Sequence, residues 1–172
     1  CGKVRELQFA FLDEWFRRYG RPAVAHYPDY LLPRGVSLSV DEVGAMSPAL
    51  FARFVVPELE AFSTRYGGLG VHCCAHARHQ WDGFAAIPGL LLLNLNQPEP
   101  VLRDAYPRFA RVVPQLHYGW DAGADPLAWE AALPRDARVV IDVTAGSHDE
   151  ALALCDRLAR VARGAPGHGK EG

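Results

Sequence analysis

Strand-like apolar runs alternate with helical patterns from about residue 36 to residue 163, and this alternation predicts an α/β fold on a parallel sheet. Two further observations narrow the class. The runs "LGVHCC" and "LLLLNL" are continuously apolar, as in strands buried on both faces. No glycine-rich nucleotide loop follows any strand. We therefore expect an incomplete (β/α)8 barrel of TIM-barrel type, with about five βα units, in preference to a doubly wound sheet.

Residues 4 to 19, "VRELQFAFLDEWFRRY", put Val4, Leu7, Phe11, Leu12, Trp15, Phe16 and Tyr19 on roughly one helical face, and Gly20 and Pro22 stop the helix. "AVAHYPDYLLPRG" reads as a short strand and a loop, since prolines and aromatics interrupt it. "VSLSVDE" alternates as a strand does. Ser47 and Pro48 then supply an N-cap and a first-turn proline for a helix bearing Leu50, Phe51, Phe54, Val55, Leu59 and Phe62, with a kink expected at Pro57. The Gly67-Gly68 pair ends that helix and the strand "LGVHCC" follows.

From there the pattern repeats. We expect a helix around 78 to 86, the strand "LLLLNL", a helix around 99 to 110, the strand "VVPQLHY", a short helix around 126 to 132, the strand "RVVIDV" and a helix from 147 to 163. The domain is expected to span residues 1 to 163, and the glycine-rich tail from 164 to 172 to be flexible.

The chain has 172 residues, 49% of them apolar and 22% charged, enough to bury a sizeable core. A net charge of −2, with both signs interleaved, leaves no basic stripe for nucleic acid and no polybasic patch for a membrane. A small-molecule substrate and a cytoplasmic setting are the expectations. Four unevenly spaced cysteines suggest reduced thiols rather than a disulfide framework. Because the chain begins at Cys1 and its one methionine is Met46, it is expected to be a piece of a longer protein.

Chemistry concentrates in "GVHCCAHARHQW", residues 70 to 81. Residues two apart in a strand point the same way, so His72 and Cys74 share one face and Cys73 faces the other, toward the core. An imidazole and a thiolate on one face are two of the three protein ligands of a catalytic zinc site. The structural alternative is a His72 bonded to backbone with Cys74 as small filler. A third ligand is offered by His76, His79, His117 or Asp142; His79 is the one placed in the metal set. His76 and His79 also suit exposed polar roles, and Cys155 falls within the apolar face of the last helix.

Other strand ends are polar too: Asp41 and Glu42, Asn94, Asn96 and Gln97, His117, and Asp142 with Thr144. Asp41, His117 and Asp142 are the candidate catalytic residues, Asp41 and Asp142 as acid, base or partner to His72. Asn94 is the candidate cofactor contact. Asp41 and Ser147 are also candidate helix caps.

The segments "SLSVDEVGAMSPALFARFVVPELEAF", "GVHCCAHARH" and "IPGLLLLNLNQPE", in that order, resemble the C-terminal half of the uroporphyrinogen decarboxylase superfamily. The likeness runs from about residue 27 to 163 and lies nearer the corrinoid- and zinc-linked methyltransferase branch. It implies a (β/α)8 barrel, zinc on His72 and Cys74 with a later cysteine, and methyl transfer from a corrinoid, held by a corrinoid protein, to a thiol. That later cysteine belongs near "DVTAGS", where this chain has none, and Ala75 stands where a glycine is usual. The alternatives are cofactor-free decarboxylation of a tetrapyrrole carboxylate by a uroporphyrinogen decarboxylase, and a silent half-barrel that self-associates through open sheet edges.

Overall fold

The computed structural model describes residues 2–20, 24–26, 30–117, 133–134, 136–141 and 145–164, with the backbone alone at 24–26, 30, 117, 141 and 161–164. Helix α1 covers Gly2–Tyr19. No proline interrupts it, and Gly20 closes it with a left-handed φ of 76° while its N–H bonds back to Phe16. Phe9, Leu12 and Phe16 pack on the core. Val4, Leu7, Phe11, Trp15 and Tyr19 instead stay exposed, each at 49% or more. The single apolar face expected of this helix is thus two faces, because positions 9, 12 and 16 and positions 4, 7, 11, 15 and 19 form separate stripes at helical spacing.

β1 (Val24–His26) and β2 (Tyr30–Leu32) pair antiparallel, where one strand and a loop were expected. Five strands then form an all-parallel sheet in sequence order: β3 (Val36–Ser39), β4 (Leu69–Cys73), β5 (Leu90–Leu95), β6 (Gln115–His117) and β7 (Val139–Ile141). Each parallel step needs a crossover, and helical segments supply it between β3 and β4, β4 and β5, and β5 and β6. The order never reverses, so the described sheet has no topological switch point. The mixed α/β class with a parallel sheet is as the sequence predicts.

Between β3 and β4 the chain runs through α2 (Pro48–Leu50), a π-helical turn (Phe51–Val55) and α3 (Val56–Tyr66). Ser47 caps α2, its hydroxyl accepting the Leu50 N–H at 3.3 Å. Pro57 lacks an N–H and would crowd the carbonyl four residues back; the wider turn just before it, with Val56 N–H bonded to Phe51 O, relieves that conflict. The π turn Phe51–Val55 lies just before Pro57, the position where a kink is expected. Gly67, at φ 79°, then ends α3, and the N–H groups of Gly67 and Gly68 both bond to Ser63 O at 2.9 Å.

A short 3-10 turn (Arg78–Gln80) leads into α4 (Trp81–Ala85), and α5 (Glu99–Phe109) and α6 (His148–Gly164) complete the described helices. Ser147 caps α6 through Glu150 N–H. The helix expected at 126–132 and the tail from 165 lie outside the described residues.

Alternation divides the sheet into two faces. Leu69, Val71, Cys73, Leu93 and Leu95 meet Phe51, Leu59, Phe62, Tyr66, Phe84, Tyr106 and Phe109 in the main core. Leu92 and Leu116, on the other face, are covered by Leu32 of β2. Helix α1 joins through α3: Phe9 packs edge-on to Phe62 and Tyr66, and Arg65 and the Tyr66 hydroxyl both bond to Asp13. Cys155 was expected to pack in the last helix but is exposed on α6; Ala151, Leu154 and Leu158 form the more buried side, and Cys155 lies just off it. No described helix is long and apolar enough to cross a membrane.

Candidate metal centre

Register builds the site. Ser39, His72, Asn94, Leu116 and Val140 are paired in one row across all five strands. Adding two residues to Ser39 and two to His72 reaches Asp41 and Cys74, beside one another at the C-terminal ends of β3 and β4. Parallel strands of equal register therefore bring a carboxylate, an imidazole and a thiol together from two adjacent chain segments.

The donor atoms of Asp41, His72 and Cys74 all lie within 4.8 Å of one another. His72 Nε2 is 3.9 Å from Asp41 Oδ1. Asp41 Oδ1 accepts the Cys74 backbone N–H at 2.7 Å, and Oδ2 accepts the Ser39 hydroxyl at 2.8 Å. Partial burial pushes the Asp41 carboxyl up, yet the Cys74 N–H and Ser39 hydroxyl bonds outweigh it and hold the group below the usual carboxylate range. The Cys74 thiol is exposed and is raised, first by its own hydrogen bond to Asp41. Cys73, by contrast, is fully buried, and burial pushes its thiol up to about 11. Its inert, core-facing role is as expected.

His72 is 5% exposed and Asn94 not at all. His72 Nδ1 is hydrogen-bonded to Asn94 Oδ1, while Asn94 Nδ2 donates to Leu116 O at 2.7 Å. Asn94, expected as a cofactor contact, is thus a buried partner of His72.

Side-chain amides tie the surrounding loops together. Gln97 Nε2 donates to Cys74 O at 2.5 Å and Ala75 O at 3.1 Å, holding the turn after β4 against the turn after β5. Gln80 Nε2 donates to Val43 O and Met46 O at 3.0 and 2.7 Å, joining the turn after β3 to the start of α4. Gly44 lets the two donor-bearing turns meet: a Cβ built on it would lie 2.7 Å from Ala75 Cβ. The Ala75 methyl occupies the room that this missing side chain leaves.

His79 is not part of the donor set; its Nε2 bonds to Met46 O at 2.9 Å on the exposed 3-10 turn. His76 is exposed and likewise outside the set. In the strand register Leu116, not His117, stands opposite Asn94, and the side chain of His117 is not among those described. Asp142 lies outside the described residues. The third donor is Asp41, which the sequence offered as a catalytic group. Its signal was the Ser39-to-His72 register, invisible until the strands are paired.

The donor set fits a borderline-soft divalent ion. Zinc takes sulfur, nitrogen and oxygen at about 2.0–2.3 Å, so tetrahedral ligand atoms stand roughly 3.5 Å apart. With the donor atoms within 4.8 Å of one another, closing on such an ion needs a contraction of up to roughly 1.3 Å. Among the described residues three protein donors converge, the number that a catalytic zinc site uses when its fourth position is left to substrate.

A sequentially ordered parallel sheet with carboxylate, imidazole and thiol at neighbouring strand ends defines an α/β protein with a candidate catalytic metal centre. No protein-family model matches the chain, and comparisons with curated proteins and with solved structures return no match.

Proposed function

We propose that this chain is part of a (β/α)-barrel methyltransferase related to the uroporphyrinogen decarboxylase superfamily, in which Asp41, His72 and Cys74 hold zinc for methyl transfer to a thiol. The observation that supports it is the convergence of those three donors within 4.8 Å at the C-terminal ends of sequentially ordered parallel strands. Barrel active sites occupy that end of the sheet.

When bound, zinc supplies positive charge that lowers the pKa of a substrate thiol toward neutrality. The chain's own residues prepare the site. Asp41 is held ionised by Ser39 and the Cys74 N–H, so its carboxylate is ready to ligate. Cys74 would hold the ion as its thiolate, releasing the thiol proton, and His72 would hold it through a ring nitrogen. A corrinoid donor would supply the methyl group: the substrate sulfur would gain the S–CH3 bond as the methyl–donor bond gave up its electron pair to the donor, and the thiol proton would pass to solvent.

The test is elemental analysis together with thiol methylation from methylcobalamin. One zinc per chain, lost in His72→Ala and Cys74→Ser, and a chelator-sensitive activity are expected. A chain that takes up no zinc and melts at the same temperature with and without it refutes the proposal. Chelator-independent formation of coproporphyrinogen would assign tetrapyrrole decarboxylation instead.

The strand order also supports a second reading, a sheet completed by association. β3 and β7 are edge strands of the described sheet, and exposed edges recruit partners. A concentration-independent monomer in sedimentation rules that out.

A further inference from the structure

We infer that Asn94 is a positioning residue that fixes His72 as its Nδ1–H tautomer and thereby makes Nε2 the donor atom of the site. The inference deepens the metal reading and rests on it only for its consequence, since the tautomer is a property of the chain alone.

Each link follows from donor and acceptor chemistry. Leu116 O can only accept, so the end of the Asn94 amide facing it, at 2.7 Å, must be the Nδ2 amine. That choice turns Oδ1 toward His72. Oδ1 can only accept as well, so the proton of that bond must sit on His72 Nδ1. Asn94 is fully buried and His72 nearly so, so water is not at hand to soften an acceptor facing an acceptor. The other neutral tautomer is therefore held to about a tenth of the population or less.

Geometry converts the tautomer into function. With Nδ1 committed to Asn94, Nε2 is the nitrogen that faces Asp41, 3.9 Å from Oδ1, on the side where Cys74 converges. Ligating histidines characteristically donate their other ring N–H to a fixed acceptor, which orients the ring. Here that acceptor is an uncharged amide, anchored by the backbone of β6 rather than by another side chain. β5 and β6 thus shape a site whose donors come from β4 and from the turns that follow β3 and β4.

The experiment is proton–nitrogen correlation spectroscopy of the imidazoles in the metal-free, isotope-labelled full chain at mildly alkaline pH, with His72 assigned from its absence in His72→Gln. A protonated, pyrrole-type Nδ1 and an unprotonated, pyridine-type Nε2 are expected. Cobalt(II) titration supplies the second measurement. Asn94→Leu, which removes the acceptor, is expected to give a mixture of tautomers and to weaken cobalt binding about 10–100-fold. Asn94→Asp, which keeps an acceptor for Nδ1–H, is expected to recover most of that loss.

A wild-type His72 protonated on Nε2 overturns the inference, as does an Asn94→Leu chain that binds cobalt as tightly as wild type. Should Asn94→Leu fail to fold, the wild-type spectrum decides. A wild type with Nδ1–H that takes up no cobalt supports the tautomer lock and refutes only the metal reading.

Discussion

Gly44→Ala tests whether the close approach of the two donor-bearing turns makes the site. The added Cβ would lie 2.7 Å from Ala75 Cβ, whereas carbon atoms rest at about 3.5–4.0 Å. The turns carrying Asp41 and Cys74 must therefore separate by about an ångström. Gly44 does not have a positive φ, so alanine brings no backbone strain and the contact is the whole penalty. Overpacking of this kind costs about 1–3 kcal/mol, offset by roughly 0.4–1 kcal/mol from a stiffer unfolded chain. The net expectation is about 1–2 kcal/mol, or a fall in Tm of about 2–8 °C. Cobalt affinity should fall about 10–100-fold, since displacing a supporting contact misplaces a ligand. The decisive assay is a double-mutant cycle with Ala75→Gly, read by urea denaturation and by cobalt titration. The double variant removes the clash and should recover stability and affinity to near wild type, giving a coupling of about 1–2 kcal/mol. A single variant as stable and as tight as wild type, or a double variant that fails to recover, refutes the reasoning.

Two further outcomes follow from the same contacts. In the metal-free protein Asp41 holds the Cys74 thiol above its ordinary pKa, so Asp41→Asn should move the alkylation midpoint of Cys74 down in pH and speed its alkylation at mildly alkaline pH; peptide mapping separates Cys74 from the exposed Cys155, and an unchanged or slower rate at Cys74 would contradict the assignment. Ser47→Ala removes the cap on Leu50 N–H and should cost about 1 kcal/mol in urea denaturation, while a change within error would show that Pro48 and the tertiary contacts set the start of α2 unaided.

Much of the fold was legible because its signals are local. The Ser47-Pro48 start, the Gly67-Gly68 stop and the apolar strand "LGVHCC" are each specified by residues a few positions apart. The opposed roles of Cys73 and Cys74 followed in the same way from the two-residue period of a strand. Helix α1 was only partly legible. Its apolar residues were recognised, but which stripe meets α3 depends on Phe62, Tyr66 and Arg65, more than fifty positions away.

The amino-acid sequence alone determined the alternation of strands and helices and the pairing of His72 with Cys74, because both rest on periodicities within a single segment. Only the tertiary structure decided that Asp41, rather than His79, completes the donor set, and that Asn94 serves His72. Those relations depend on the register between parallel strands and on the room left by Gly44. Both are settled by packing between distant segments, which no local pattern encodes.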